Sequence, residues 1–473
     1  MVDETALSHS INNERPPAEI TSGGLRLSVR TPANEYISAF FIGSFIAAFL
    51  LYLEFDVWAY VMLTFAWMIV PALALFDKVV FDGRRITRTG LLHRFARTLI
   101  GKRRSLKLKD IEQITTSSLR SARNGSKIRM RYRTAIRGRG IAIVVASGSG
   151  QYRELMGAIL SSVSDDVLDL RSAELRDYLA DPKEVAMKAS FARIPRTDFL
   201  KARFDEAFKQ KRWRSGKAID DGLEAGERVA YLHRLGNELK VAGCFYQAHE
   251  AFRRALFIEP KNASVIFDLG RCLNVIAAIK RDKRLQRRSI AALRLAENRA
   301  SNDADLLTRL GEMYFLVGEW RRSAAVFVKT LDSGKAFKAR HGRAELALHD
   351  GKLAHVVNEF AAAYSAAKTA ALRRYARKES EYFRNLSNDE EYLELEVGRV
   401  NLLGSITNAR RTCLRIASFA MIPLMIGVIG DDKLLTDIGW AAAIVSLAVW
   451  SIASVAAKFF TDRIPYDIAV ADE

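Results

Sequence analysis

The chain has 473 residues, 49% of them hydrophobic, only 9 prolines, and a formal charge of +19 from 73 Lys and Arg against 54 Asp and Glu. That composition excludes a disordered or collagen-like chain. Three scattered cysteines (Cys244, Cys272, Cys413) exclude a disulfide-built secreted scaffold and suit a reducing compartment.

Residues 1–35 are polar and mixed in charge; they predict a disordered segment with nothing resembling a cleaved signal peptide. Ile37–Leu53 then runs seventeen residues without a charge, and after Glu54-Phe55-Asp56, Val57–Phe76 gives twenty more. Each approaches the roughly 20 helical residues that span a hydrocarbon core. The pair, residues 36–76, reads as a transmembrane hairpin with Pro71 bending its second arm; two buried core helices are the competing reading. A second hairpin is expected over 412–460, from Leu414–Ile429 and Ile438–Ala457, joined by a loop holding Asp431, Asp432 and Asp437 against one lysine, Lys433.

Arg410, Arg411 and Arg415 precede the third span, Lys458 and Arg463 follow the fourth, and a dense basic segment follows the second. Because cationic flanks stay on the cytoplasmic side, both tips should face outward and every sizeable soluble segment should be cytoplasmic, at a bacterial inner (cytoplasmic) membrane. Beyond their edges the spans hold no Asp, Glu, Lys, Arg or His, so they read as anchors rather than an ion pathway. The pairs Gly43/Ala47 and Gly439/Ala443 are spaced to let helices approach closely.

Residues 77–165 change character. Between Asp77 and Leu160 there are 20 Lys and Arg against 5 Asp and Glu. Short alternating runs (Val79–Phe81, Arg84–Thr89, Ser105–Lys109, Lys127–Arg133, Ile141–Ala146) are punctuated by Asp82-Gly83 and Asn124-Gly125, the residues type I′ turns require. A helical pattern begins at Gln151. Alternation puts Lys127, Arg129, Arg131 and Arg133 on one strand face opposite Ile128, Met130 and Tyr132, and Lys107 and Lys109 opposite Leu106 and Leu108. A solvated sheet face and a surface for an anionic partner both fit this stripe. With the domain tethered beside a bilayer, anionic lipid is favoured over nucleic acid; stacking aromatics are sparse there. The text Phe81-Asp82-Gly83-Arg84-Arg85-Ile86-Thr87-Arg88-Thr89-Gly90, followed by Arg104-Ser105-Leu106-Lys107-Leu108-Lys109-Asp110-Ile111, resembles bacterial pleckstrin-homology-like (PH-like) domains that follow a membrane hairpin. The resemblance implies a small barrel capped by a helix.

Residues 166–225 read as a polar helical linker. From Arg228 a longer period appears. Leu235-Gly236, Gly243, Ala248, Phe252 and Ala255 recur as Leu310-Gly311, Gly318, Ser323, Phe327 and Thr330, while a unit-ending proline stands only at Pro260. An interrupted unit opens at Leu269-Gly270 and continues through Ser289, Leu293 and Ala296, and a degenerate one follows through Ala344, Gly351, Val356, Phe360 and Ala363. This 34-residue period resembles tetratricopeptide repeats (TPR), each a helix-turn-helix, over residues 226–370. The resemblance implies a concave face that binds a cytoplasmic protein or peptide, including His233, Asn237, Asp268, Arg271, Arg309 and Glu312. Self-association of the repeats is the alternative. Ser387 with Glu390 suggests a capping box opening a charged helix within 371–411, and 461–473 form a tail.

The seven histidines show no metal-ligand spacing, Ser147–Gly150 lacks the Lys-Ser/Thr of a phosphate loop, and neither catalysis, metal nor cofactor is expected. The expected fold is thus a multi-domain membrane protein: two transmembrane helical hairpins, a small antiparallel β (PH-like) domain and an α-solenoid of TPR-like helix pairs. The expected role is a non-enzymatic scaffold or adaptor; the alternative is anionic-lipid or polyanion sensing by Lys107, Lys109, Lys127, Arg129, Arg131 and Arg133.

Overall fold

A computed structural model of the chain describes residues 26–31, 34–90, 105–124, 127–147, 151–209, 222–300, 303–331 and 335–466. The protein is mostly helical, with two small antiparallel sheets and three helices long and apolar enough to cross a membrane.

The first sheet begins where disorder was expected. Leu27–Arg30 forms β1 and pairs antiparallel with β2 (Lys78–Phe81), Leu27 opposite Phe81 and Arg30 opposite Lys78. Two adjacent strands therefore flank the first helical hairpin, α1 (Asn34–Tyr52) and α2 (Asp56–Phe76). Val29 and Val79 are buried in one apolar cluster, which supplies the burial that a four-residue strand needs. The exit of α2 is pinned to this sheet. Asp77 is fully buried; Arg88 donates to both its carboxylate oxygens, Tyr36 of α1 donates to Oδ2 at 2.8 Å, and Thr31 donates to its carbonyl. Burial opposes ionisation of Asp77, yet these hydrogen bonds hold its carboxyl below the usual range.

Pro71 is accommodated by rewinding. It lacks an N–H, and Phe65–Ile69 just ahead of it forms a π turn in which Val70 N bonds Phe65 O. The 21 residues of α2 span about 31 Å at 1.5 Å per residue, matching a hydrocarbon core. The apolar stretch of α1, Tyr36–Leu51, is shorter.

β2, β3 (Arg85–Thr89) and β4 (Ser105–Lys107) complete the first sheet. The β2–β3 turn is held by Asp82, whose side chain accepts from the amides of Arg84 and Arg85, with Gly83 at φ +81°. β4 is shorter than the alternation suggested, because Leu108–Asp110 turns into a 3₁₀ helix. The second sheet, β5 (Gln113–Asn124), β6 (Lys127–Gly138) and β7 (Ile141–Ala146), is closed by α3 (Gln151–Ser161), which buries Tyr152, Leu155, Met156, Ile159 and Leu160.

The linker residues form three docked helices: α4 (Leu170–Tyr178), α5 (Pro182–Phe191) and α6 (Thr197–Lys209). Next come four helix-turn-helix pairs: α7 (Gly222–Val241) with α8 (Phe245–Ile258), α9 (Ala263–Lys280) with α10 (Lys283–Arg299), α11 (Ala304–Val317) with α12 (Trp320–Lys329), and α13 (Ala336–His349) with α14 (Leu353–Ala366). The glycines of the period act at two kinds of place. A methyl group at Gly236 would lie 2.5 Å from Phe252, and one at Gly311 2.6 Å from Phe327, so only hydrogen lets the paired helix approach. Gly243 and Gly318, both at φ +83°, make the turns. Arg281 (φ +55°) takes that turn position in the interrupted unit, whose two helices are extended to 18 and 17 residues. Ser289 and Ser323 each donate 2.8 Å bonds to the carbonyl of the glycine they face, Gly270 and Gly311.

α15 (Ala370–Asn388) leads into α16 (Glu390–Ile429), whose N-cap is Asp389, accepting from Tyr392 N, rather than Ser387. The charged helix and the third apolar span are thus one helix of 40 residues. α17 (Lys433–Phe459) returns beside it. Here a methyl group at Gly439 would meet the backbone of Leu424 at 2.6 Å, the close approach the small-residue spacing suggested. Phe41 of α1 meets Trp450 of α17 edge-on, 6.1 Å between ring centroids, so the two hairpins touch. Their outer surfaces are apolar and open: Val57 is 75% exposed and Ile429 79%. So much open apolar surface suits lipid, not water.

Candidate binding groove

Of the six residues expected on one face, the structure brings four to the carboxylate of a fifth, Asp268. α7 carries His233 and Asn237 one turn apart, α9 carries Asp268 and Arg271, and α11 carries Arg309 and Glu312, each pair at helical spacing that gives both residues the same face. Asp268 is 1% exposed. Its Oδ2 meets His233 Nε2 at 2.8 Å and Asn237 Nδ2 at 3.0 Å, and its Oδ1 meets Lys240 Nζ at 3.0 Å and Arg271 Nη1 at 3.3 Å. Arg309 Nη2 stands 3.8 Å away. Burial pushes the Asp268 carboxyl up, but the Lys240 charge, the His233 hydrogen bond and the two guanidinium groups override it and hold it well below the usual range.

Two members of this cluster escaped the sequence reading. Lys240 lies one turn beyond Asn237 on the same face of α7 and could have been found by extending that spacing. Glu174 could not, because it belongs to α4. Its Oε2 accepts from Arg271 at 2.6 Å, and its Oε1 makes an ion pair with Lys240 Nζ at 2.9 Å. Burial opposes the charge on Glu174, and Arg271 and Lys240 outweigh it. Glu174, Asp268, Lys240 and Arg271 form a buried quartet of two negative and two positive charges, the arrangement in which buried ions are tolerated. Phe267 supports the cations, with the guanidinium carbons of Arg271 and Arg309 5.5 and 5.0 Å from its ring centroid.

The face that carries these residues is therefore an internal interface. α4 is fixed to the β domain by its N-cap Asp169, whose carboxylate accepts from Thr116 N of β5 at 3.3 Å, and by Ser172 Oγ, 2.8 Å from Thr116 Oγ1. Tyr132 of β6 donates to Val241 O at 2.7 Å, Lys335 pairs with Asp165, and Arg374 of α15 pairs with Asp110. One apolar cluster joins the β domain to Val241, Phe337, Ala363, Leu372 and Ala376 of the helical array. A cavity of about 210 Å³ remains between Tyr132, Glu174, Lys240, Arg271 and Met313. Glu312 makes no contact with Asp268 among the described hydrogen bonds and ion pairs; burial, with the charges of Asp169 and Glu345, pushes its carboxyl up to about 7, against Lys338 and Arg309.

The proposed lipid-contact residues do not form one stripe. Lys107 is exposed at the end of β4 opposite Arg85, and Lys109 is exposed on the 3₁₀ turn. Arg131 and Arg133 are exposed on β6 of the other sheet, whose opposite face carries Met130, Tyr132 and Thr134 inward. The side chains of Lys127 and Arg129 lie outside the described residues. Among the described residues, no group of three or more His, Cys, Asp or Glu side chains is gathered where it could hold a metal ion.

No protein-family model matches the chain, and no curated protein or solved structure matches it.

Proposed function

We propose that the chain is a membrane-anchored, non-enzymatic scaffold on the cytoplasmic side of a bacterial inner membrane. Four spans hold it, a PH-like domain sits at the bilayer, and TPR-like pairs present the surface that a cytoplasmic protein binds. One observation carries this reading. The concave cations are engaged by Glu174 of the chain's own α4, which supports a helical array built to hold other protein segments and already holding one in cis. The surfaces left for an outside partner are then the outward and end faces of the array. A photo-cross-linker placed at exposed Val328 of the full-length protein in native membranes should trap discrete cytoplasmic proteins. Cross-links confined to lipid and to the chain itself would reject the scaffold role.

A second reading, anionic-lipid sensing, is favoured by a different set of residues from those first singled out. Arg30 and Lys78 are exposed and paired across β1 and β2, beside the starts and ends of α1 and α2, and Arg85 and Lys107 are exposed and paired across β3 and β4. Each such group near an anionic leaflet contributes about 1 kcal/mol. Native mass spectrometry should show retained phosphatidylglycerol lost in an Arg30→Glu/Lys78→Glu protein; unchanged retention rejects this reading.

A further inference from the structure

Apart from the occupied concave face, the array has an open cleft at its first end, about 670 Å³ in volume, between the C-terminus of α5, the start of α7 and the end of α8. Its walls join two chemistries. Phe191, Tyr231 and Phe257 are apolar and exposed, Phe191 to 77%. Arg193, Arg228 and Arg253 are cationic, and among the described residues no carboxylate lines the cleft.

The wall is built, not incidental. Arg254 donates to the carbonyls of Ala192 (2.8 Å) and Arg193 (3.0 Å), closing the end of α5 against α8 and leaving the Phe191 ring outside. Glu250 is spent on Arg253, through two 2.8 Å bonds, and on Arg254. Among the described residues, neither Arg193 nor Arg228 stands within ion-pair distance of a carboxylate. Exposed aromatics grouped with uncommitted guanidinium groups are the composition of protein-recognition surfaces, where Arg and aromatic side chains dominate the binding energy, and the volume lies in the range of ligand pockets.

We propose that this cleft is the docking site of the scaffold for an acidic amphipathic helix of a partner protein. Apolar anchors of that helix fill the floor over Leu232 and Phe257, and flanking carboxylates pair with Arg193 and Arg228. The charge of the cleft selects this occupant, since a basic helix would meet three guanidinium groups. The inference rests on the scaffold reading and adds to it the place and chemistry of the partner.

The test uses the full-length protein in nanodiscs of zwitterionic lipid. The probe is a fluorescein-labelled 15-residue helix with Leu and Trp on one face and Glu on the other, with a Lys-for-Glu twin as control. The acidic probe should bind at least ten times more tightly than its twin, weaken with salt, and lose at least tenfold in affinity to Arg193→Glu/Arg228→Glu and to Phe257→Ala. Both arginines are exposed and lie outside the Asp268 cluster, so hydrogen exchange of α4 should be unchanged and certifies folding. Equal binding of the two probes, or affinity untouched by either variant, overturns the proposal. So do anionic vesicles bound in an Arg228-dependent way without probe binding, and a self-associated form lost in the double variant without probe binding. A cleft that fails while cross-links from Val328 persist removes this docking site and spares the scaffold.

Discussion

Replacing Glu174 by Gln preserves the shape of the side chain and removes one of two buried negative charges. In the native protein Glu174 stands 2.6 Å from Arg271 and 2.9 Å from Lys240, and among the described residues Asp268 is the only other carboxylate that pairs with both cations. After the substitution, two buried cations share one anion. Removing one partner of a buried ion pair costs about 3–5 kcal/mol; the Gln carbonyl still accepts one hydrogen bond, so the lower end, about 3 kcal/mol, applies here. At about 1.4 kcal/mol per factor of ten, that becomes a hundredfold rise in the opening of α4 from the array. Hydrogen exchange of the full-length protein reads this directly. Amides of Ser172–Tyr178 should lose about two orders of magnitude of protection by the same arithmetic, while those of α17, in the second apolar hairpin, hold. Adding Arg271→Gln should restore part of the loss, because the charges balance again, and the two substitutions should couple by more than about 1 kcal/mol. Protection of α4 within threefold of the native value would refute the claim that these charges hold the β domain in the groove.

Other expectations follow from the same geometry. Burial raises the Glu312 carboxyl to about 7 from 4.5, so the folded state binds its proton more tightly than the unfolded one. That contribution is fully present below pH 4.5 and is lost as pH rises through 7. Its upper bound is about 3 kcal/mol at 1.36 kcal/mol per unit, reduced because the side chain keeps some contact with solvent. Thermal unfolding between pH 5 and 8 should flatten in Glu312→Gln, and at pH 8 the variant should be the more stable; a slope identical to the parent would contradict the assignment. Gly311→Ala puts a methyl group against Phe327 and should cost about 1–3 kcal/mol, measurable as a lowered urea midpoint of the array. Gly398→Ala, inside α16 with open space at that position, is the control and should hold or raise stability. Asp77→Asn leaves Arg88 facing a neutral group at the exit of α2 and should raise exchange in β2 and β3, with no change in α10 as the internal check.

Some of this architecture is legible in the sequence because it is local. The apolar runs need only composition, and the glycines facing Phe252 and Phe327 sit at a fixed spacing inside one helix pair. β1 is not legible: four residues, Leu27–Arg30, carry too little pattern, and their partner lies beyond an entire apolar helical hairpin. Glu174 is hidden for the same reason, since 97 positions separate it from Arg271 and nothing in the polarity of α4 marks which of its charges is buried. The helical spacing of the six groove residues brings five of them into one cluster, yet the α4 side chain that meets them was invisible, because a surface complementary to an outside peptide and one complementary to another part of the chain have the same local spacing. The cationic stripe shows the converse: alternation along β6 holds for Arg131 and Arg133, but strand pairing puts Lys107 in the other sheet.

Topology tests the central claim, an array held at the cytoplasmic face by outward-pointing hairpins, most directly. Single cysteines at Phe55, Asp432 and Arg228, in a protein whose native Cys413 is replaced by Ser, are labelled in intact cells with a membrane-impermeant maleimide. The account predicts labelling at Phe55 and Asp432 from outside, and at Arg228 only after permeabilisation. Labelling of Arg228→Cys in intact cells, with the two tips protected, would contradict it.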